Sequence, residues 1–160
     1  MLLLDQDAVR KSITLREAMD AVAQAYVSLS GGRTQMPLRT SVAVPQYEGV
    51  TLYMPGYLRD ADELGVKIVS VFPQNAARGL PVVPAGVILT EVATGQPAAL
   101  LEGSYLTALR TGASSAVAAS HLARQDASVA AVFGAGTQAR SQLRALCEVR
   151  RIRRAKVFDI

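Results

Sequence analysis

The sequence predicts an α/β protein in which a mixed α+β module leads into the start of a parallel, doubly wound unit. Three observations carry this expectation. Short apolar runs rich in β-branched residues recur between Gly, Pro and Asn punctuation through the first 124 residues. Two stretches, one amphipathic and one alanine-rich, carry helical composition and spacing. Finally, the apolar run from Ser128 to Phe133 opens into Gly134-Ala135-Gly136-Thr137-Gln138-Ala139, a helix-forming segment and a second strand-like run.

Taken in order, Thr14 and Glu17 form a capping box, in which each end of a first helical turn satisfies the other's exposed groups. Behind it Ala18, Val22, Ala25, Tyr26 and Leu29 make one helical stripe, expected to pack on the core, and Gly31-Gly32 ends it. Strands are expected at 40–44, 51–54 and 66–71, followed by a hairpin of 86–91 and 98–101 around Thr94-Gly95. Residues 104–123 read as a long helix, with Gln125-Asp126 turning into the next strand. The expected division is a module over 1–124 and a βαβ unit over 125–160.

Composition narrows the class. Half of the 160 residues are apolar, the net charge is +4 and Trp is absent, which fits a globular chain and not a disordered one. There is no run of about 18 apolar residues, and acids follow the first leucines too soon for a signal peptide, so no membrane partner and a cytoplasmic setting are expected. The single cysteine, Cys147, can form neither an internal disulfide nor a metal cluster and reads as a packing residue. Asp60, Asp62 and Glu63 read as an acidic turn without His or Cys ligands beside them, so no metal is expected. His121 falls near a predicted helix end, where a cation suits the dipole. The positive charge gathers at Arg140, Arg144, Arg150, Arg151, Arg153, Arg154 and Lys156. No aromatics interleave with them, and their pattern reads as a solvated helix end and loop, so no nucleic-acid partner is expected.

The glycine-rich run has the parts of a dinucleotide site of the Rossmann kind. A strand aims the turn, Gly134 makes it tight, Gly136 lets the backbone approach a pyrophosphate, and small Ala139 allows close helix packing. The exposed N–H groups and positive dipole end of the helix over 138–149 would face the diphosphate. A second strand over 155–159 ends in Asp159, about 20 residues after Ala139, where a carboxylate reaches the ribose hydroxyls and would repel a 2′-phosphate. That spacing favours NAD over NADP. A βαβ unit that binds nothing is the competing reading of the same turn.

Three cations sit in settings unusual for surface charges: Arg39 after a proline and before a strand, Lys67 among Val66, Ile68, Val69 and Val71, and Arg110 in an alanine-rich helix beside Thr107 and Thr111. Burying an unpaired ammonium is costly, so Lys67 is expected to have an anionic partner. A guanidinium suits a bidentate grip on a carboxylate.

At these residues the chain resembles the ornithine cyclodeaminase and mu-crystallin family. The marks are Pro37-Leu38-Arg39-Thr40, Tyr53-Met54-Pro55, Gly65-Val66-Lys67 with Phe72-Pro73-Gln74-Asn75, Leu106 through Thr111, and Gly134 through Ala139, and together they cover essentially the whole chain. The resemblance implies that Arg39, Lys67 and Arg110 grip a substrate carboxylate, that Thr111 lies near the nucleotide, and that Gly134, Gly136, Thr137, Gln138 and Ala139 line the pyrophosphate. It implies that Met54 walls the substrate pocket, although a Met beside Pro55 equally suits core packing. Pro73 and Asn75 would shape the following loop.

The implied chemistry is hydride transfer between the α-carbon of an amino or imino acid and nicotinamide, with Lys67 also placed to move a proton if desolvation lowers its pKa. Members that cyclise ornithine carry a glutamate two positions before the Met-Pro pair, and here that position is Leu52. An amino-acid or imino-acid dehydrogenase is therefore favoured over a cyclodeaminase, with a non-catalytic crystallin-like NAD(P)H binder and a bare oligomerisation module as further alternatives. The family's catalytic aspartate belongs to a later part of the nucleotide domain, beyond Ile160, so the chain is expected to be part of a longer protein or a truncated homologue. The first module's sheet is the family's dimerisation surface, and a homodimer is expected.

Overall fold

The computed structural model describes residues 1–160 and contains two separate sheets. The first is built from β1 (Leu2–Leu4), β2 (Thr34–Gln35), β3 (Thr40–Val44), β4 (Gly49–Leu58), β5 (Glu63–Val71), β6 (Ala85–Thr90) and β7 (Pro97–Glu102). Its order is β1-β7-β6-β5-β4-β2, with β3 also paired to β4. The second sheet pairs β8 (Val129–Phe133) with β9 (Arg154–Phe158) in parallel. Four α-helices accompany them: α1 (Gln6–Ser12), α2 (Leu15–Ser30), α3 (Gly103–Leu122) and α4 (Thr137–Val149). The chain packs as two compact units, Met1–Ser12 with Val27–Tyr105, and Ile13–Tyr26 with Leu106–Ile160.

In the first unit the long antiparallel ladder follows local signals. The β6–β7 hairpin closes where Gly95 takes φ +72°, with the Glu91 amide donating to Gln96 at 2.9 Å and the Gly95 amide to Glu91 at 2.8 Å. A residue without Cβ meets that left-handed geometry at little cost. β4 runs well past the expected end at Met54, through Pro55. Proline has no N–H for a ladder, but β3 pairs only as far as Tyr53 and β2 begins only at Tyr57, so Pro55 has a register partner on the β5 side alone.

β1 and α1 were not expected. β1 is three residues long, too short to show a period, and is set by its parallel pairing with distant β7. Asp5 then caps α1, accepting the Ala8 amide at 2.8 Å. Glu102 does the same for α3, accepting the amides of Ser104 at 2.6 Å and Tyr105 at 2.9 Å. Burial would raise the Glu102 carboxyl, but the hydrogen bonds from Ser104 and Tyr105 outweigh it and hold it below its ordinary value.

The capping box at α2 forms as expected, with the Thr14 amide donating to Glu17 at 2.8 Å and the Glu17 amide to Thr14 Oγ1 at 3.3 Å. The stripe behind it is only partly buried. Ala18 is a core residue and Val22 and Ala25 are half-buried, whereas Tyr26 and Leu29 are exposed.

In the second unit the β8-α4-β9 arrangement appears where the glycine motif places it. Two expectations there are corrected. Cys147 is exposed on α4, so it is not a packing residue in this chain. Arg150 is 8% exposed, not solvated, because its guanidinium lies at the C-terminal ends of two helices. It donates to the carbonyls of Arg124 at 2.9 Å, Ser120 at 3.1 Å, Ala123 at 2.7 Å and Val149 at 2.7 Å. Both helix dipoles present their negative ends to it, which compensates the buried charge. His121 is exposed in the last turn of α3, as expected. No helix is long and apolar enough to cross a membrane.

Candidate functional site

The glycine turn of the second unit is shaped by two backbone facts. Gly134 has φ +96°, a conformation closed to most L side chains, and its amide donates to the Phe158 carbonyl at 2.7 Å. The turn after β8 is thereby tied to the end of β9, and Asp159 follows Phe158 directly on an exposed surface.

Gly136 is the N-cap of α4, with φ −74° and ψ −170°, and no side chain caps the helix. The first amides of an α-helix have no partner within it, and here Thr137, Gln138 and Ala139 begin that turn. A Cβ placed on Gly134 or Gly136 would meet nothing within 4 Å. An uncapped helix start behind open space fits the diphosphate of a dinucleotide: donors are available, the dipole is favourable, and no side chain obstructs the approach.

α3 contributes Arg110, exposed, and Thr111, half-buried. The Thr111 hydroxyl donates to the Thr107 carbonyl at 2.7 Å, so its oxygen keeps acceptor capacity for a further donor. Thr107 Oγ1 is buried and has no hydrogen-bond partner. An orphan hydroxyl one turn before Arg110 is uncommon in a packed helix. Sequence reasoning missed Gly112 and Ser141. A Cβ on Gly112 would lie 2.7 Å from both the carbonyl oxygen and Oγ of Ser141, and Ser141 Oγ donates to the Ala108 carbonyl. The only local signal was a glycine in an otherwise helical run.

In the first unit the register brings two predicted residues together. Met54 on β4 pairs with Lys67 on β5, and Lys67 pairs with Val87 on β6. Arg39 lies just before β3, whose first residue Thr40 pairs with Tyr53, and is not itself part of the ladder. Directly opposed residues share a sheet face, and so do residues two apart along a strand. Leu52, paired with Val69, therefore stands on the same face as Met54 and Lys67. Lys67 and Met54 are half-buried, Arg39 is exposed, and Val69 is buried. The ammonium of Lys67 thus stands on a mostly apolar face with Leu52, Met54, Val69 and Val87, to which β3 adds the hydroxyl of Ser41 opposite Leu52.

Phe72-Pro73-Gln74-Asn75 opens the 3₁₀ turn Pro73–Arg78, where Asn75 Nδ2 donates to the Pro81 carbonyl at 2.9 Å. Asn75 thus shapes its own loop. An open groove of about 530 Å³, lined by Leu3, Leu4, Ala85, Leu100, Leu101 and Glu102 among others, contains none of the predicted site residues. The carboxylate of Glu102 in that groove is already committed to the start of α3.

Known proteins share this fold. The structure of Thermococcus litoralis Delta(1)-pyrroline-2-carboxylate reductase in complex with NADH and L-proline matches with a TM-score of 0.96 and 48% identity, covering 100% of this chain and 50% of that one. An archaeal alanine dehydrogenase dimer with bound NAD matches with a TM-score of 0.93 and 39% identity, over 99% of this chain and 48% of that one. Among sequences, the Delta(1)-pyrroline-2-carboxylate reductase of Bacillus cereus is 37% identical over 159 residues, 99% of this chain and 49% of its own length. The chain spans about half the length of the curated relatives it matches. A sequence model of the ornithine cyclodeaminase/mu-crystallin family matches residues 1–160, and the chain belongs to that family.

Proposed function

We propose that this protein binds NAD and acts as an amino-acid or imino-acid dehydrogenase or reductase. The observation that carries the reading is the uncapped, open start of α4 behind Gly134 and Gly136, with Asp159 at the end of the adjoining strand. Solved relatives that hold NADH with L-proline, or NAD, support it. In this reading residues 1–124 serve substrate binding and dimerisation, and residues 125–160 form the first βαβ of the nucleotide domain. The setting is cytoplasmic, and the assembly is a homodimer, as in the archaeal relative described as a dimer.

The chain's own residues divide the work. Gly134, Gly136, Thr137, Gln138 and Ala139 receive the pyrophosphate, Thr111 lies beside the nucleotide, and Asp159 takes the ribose hydroxyls, favouring NAD over NADP. When bound, NAD supplies the hydride donor or acceptor for the substrate α-carbon. Arg39, Lys67 and Arg110 hold the substrate carboxylate, which orients the α-carbon, and most protein-supplied catalysis lies in this positioning. Met54 walls the pocket, and Lys67 also moves a proton at its Nζ.

Leu52 favours a dehydrogenase or reductase over a cyclodeaminase. It shares the face of Lys67 and gives no acceptor for a terminal amine. The test is a substrate panel on the natural full-length protein: L-proline, cyclic imino acids, L-alanine and L-ornithine with NAD(H) and NADP(H), following reduced cofactor and ammonia. Net change in reduced cofactor is expected. Ammonia release from ornithine without net cofactor change would instead identify a cyclodeaminase.

A further inference from the structure

Within the second unit α3 and α4 lie side by side and parallel, and four contacts at rising positions show it. Ala108 accepts from Ser141, Gly112 meets Ser141, Ser115 Oγ donates to Gln142 Oε1 at 3.2 Å, and Ser120 and Ala123 accept from Arg150. The contacts begin at the first turns of α4, which start at the glycine cap, and end at its C-terminus. The Ala108–Gly112 turn carries both Arg110 and Thr111.

We infer that Ser141 is a positioning residue for the substrate carboxylate, holding the turn that bears Arg110 and Thr111 in register with the dinucleotide turn. The inference rests on the proposed roles of Arg110 and of the glycine turn. The Ala108 carbonyl is the helical acceptor for the Gly112 amide, and its second lone pair takes the Ser141 hydroxyl. Ser141 thereby grips the backbone of the turn without reaching the Arg110 side chain. Gly112 allows the grip, because any Cβ there would meet the Ser141 backbone at 2.7 Å and force the helices apart. Arg110 is exposed, so its placement depends on where its helix backbone stands. Small displacements of a group that orients a reacting centre have large effects.

The test uses Ser141→Ala in the natural full-length protein, with Ser115→Ala as a control that removes another α3–α4 hydrogen bond one turn further from Arg110. NADH affinity is read from nicotinamide fluorescence, and substrate KM and kcat from steady-state rates. Ser141→Ala is expected to raise substrate KM about fivefold with NADH affinity within about twofold of wild type, while Ser115→Ala leaves KM unchanged. An unchanged KM in Ser141→Ala overturns the inference, as does a rise of KM and NADH dissociation constant together, or an equal rise in both variants. If the unsubstituted protein neither binds NADH nor turns over a carboxylate substrate, the proposed function itself fails and removes the basis of the inference. Normal wild-type binding and turnover with an unaltered Ser141→Ala would sink the inference alone.

Discussion

The Gly134 amide and the Phe158 carbonyl, 2.7 Å apart, join the glycine turn to the strand end that carries Asp159. This hydrogen bond extends the β8–β9 ladder into the turn and so helps to set the glycine turn relative to the acid proposed to read the ribose. Removing the acid is expected to alter cofactor choice and leave the turn intact. Asp159→Ala should lose about tenfold in its kcat/KM preference for NADH over NADPH, equivalent to about 1.4 kcal/mol. Unchanged preference would count against the ribose assignment.

The two motif glycines should fail in different ways. Gly134 sits at φ +96° in open space, so Gly134→Ala is strained without clashing and should cost about 1–2 kcal/mol of stability. Gly136 sits at an ordinary φ of −74°, so Gly136→Ala should change stability by less than about 0.5 kcal/mol. On the proposed reading, in which the diphosphate approaches there, the added methyl would stand in its way and NADH affinity should fall. Thermal melting and fluorescence titration on the same preparations separate the two effects.

If Lys67 has the two roles proposed for it, Lys67→Met should raise substrate KM by losing the carboxylate partner and lower kcat by losing the proton carrier. The pH–rate profile separates the roles. A variant that keeps wild-type turnover and affinity would eliminate both.

Arg150→Met should be among the more destabilising single changes. It leaves the carbonyls of Ser120, Ala123, Arg124 and Val149 without their donor in a buried setting, at a cost of about 2–4 kcal/mol. Denaturant unfolding measures this directly, and a shift below about 1 kcal/mol would show that water replaces the guanidinium.

Asp60 gives the chain an acid-sensitive joint. Its carboxylate accepts Arg33 Nε at 2.7 Å and Ser28 Oγ at 2.6 Å, and these hydrogen bonds, Arg33 first, hold its pKa below the ordinary carboxylate value. A folded-state pKa depressed in this way contributes stability above the unfolded value of about 3.9 and loses it as pH falls through the lower folded value. Asp60→Asn should therefore melt below wild type near neutrality, and the difference should shrink on acidification below about pH 4. A difference constant with pH would remove the charge from the explanation.

The elements legible in the sequence are those whose cause is local. The hairpin around Gly95 and the succession of β8, α4 and β9 announce themselves through turn residues and period, and the cap of α2 through Thr14 and Glu17. What was not legible depends on residues far apart in the chain. Arg150 reads as solvated because its acceptors Ser120 and Ala123 lie 30 and 27 positions away. The Ser141–Ala108 contact spans 33 positions, and nothing near Ser141 marks it as different from any helical serine. Pro55 argued for a short β4, since its gap in pairing is visible only once β2 and β3 are placed. For the candidate site, residue types pointed to the cations, while only the strand register put Leu52, Met54 and Lys67 on one face.

That register makes the shared face of Leu52, Met54 and Lys67 an all-or-nothing property of strand alignment. Because side chains alternate faces, shifting β5 by one residue against β4 would replace Lys67 with Val66 or Ile68 opposite Met54 and send the ammonium to the opposite side. Length changes of the β4–β5 connection at Arg59–Asp62 can be absorbed at the exposed surface, whereas a slip of the paired segment cannot. Point substitutions would dim the face by degrees, whereas a one-residue slip would turn the ammonium off it altogether.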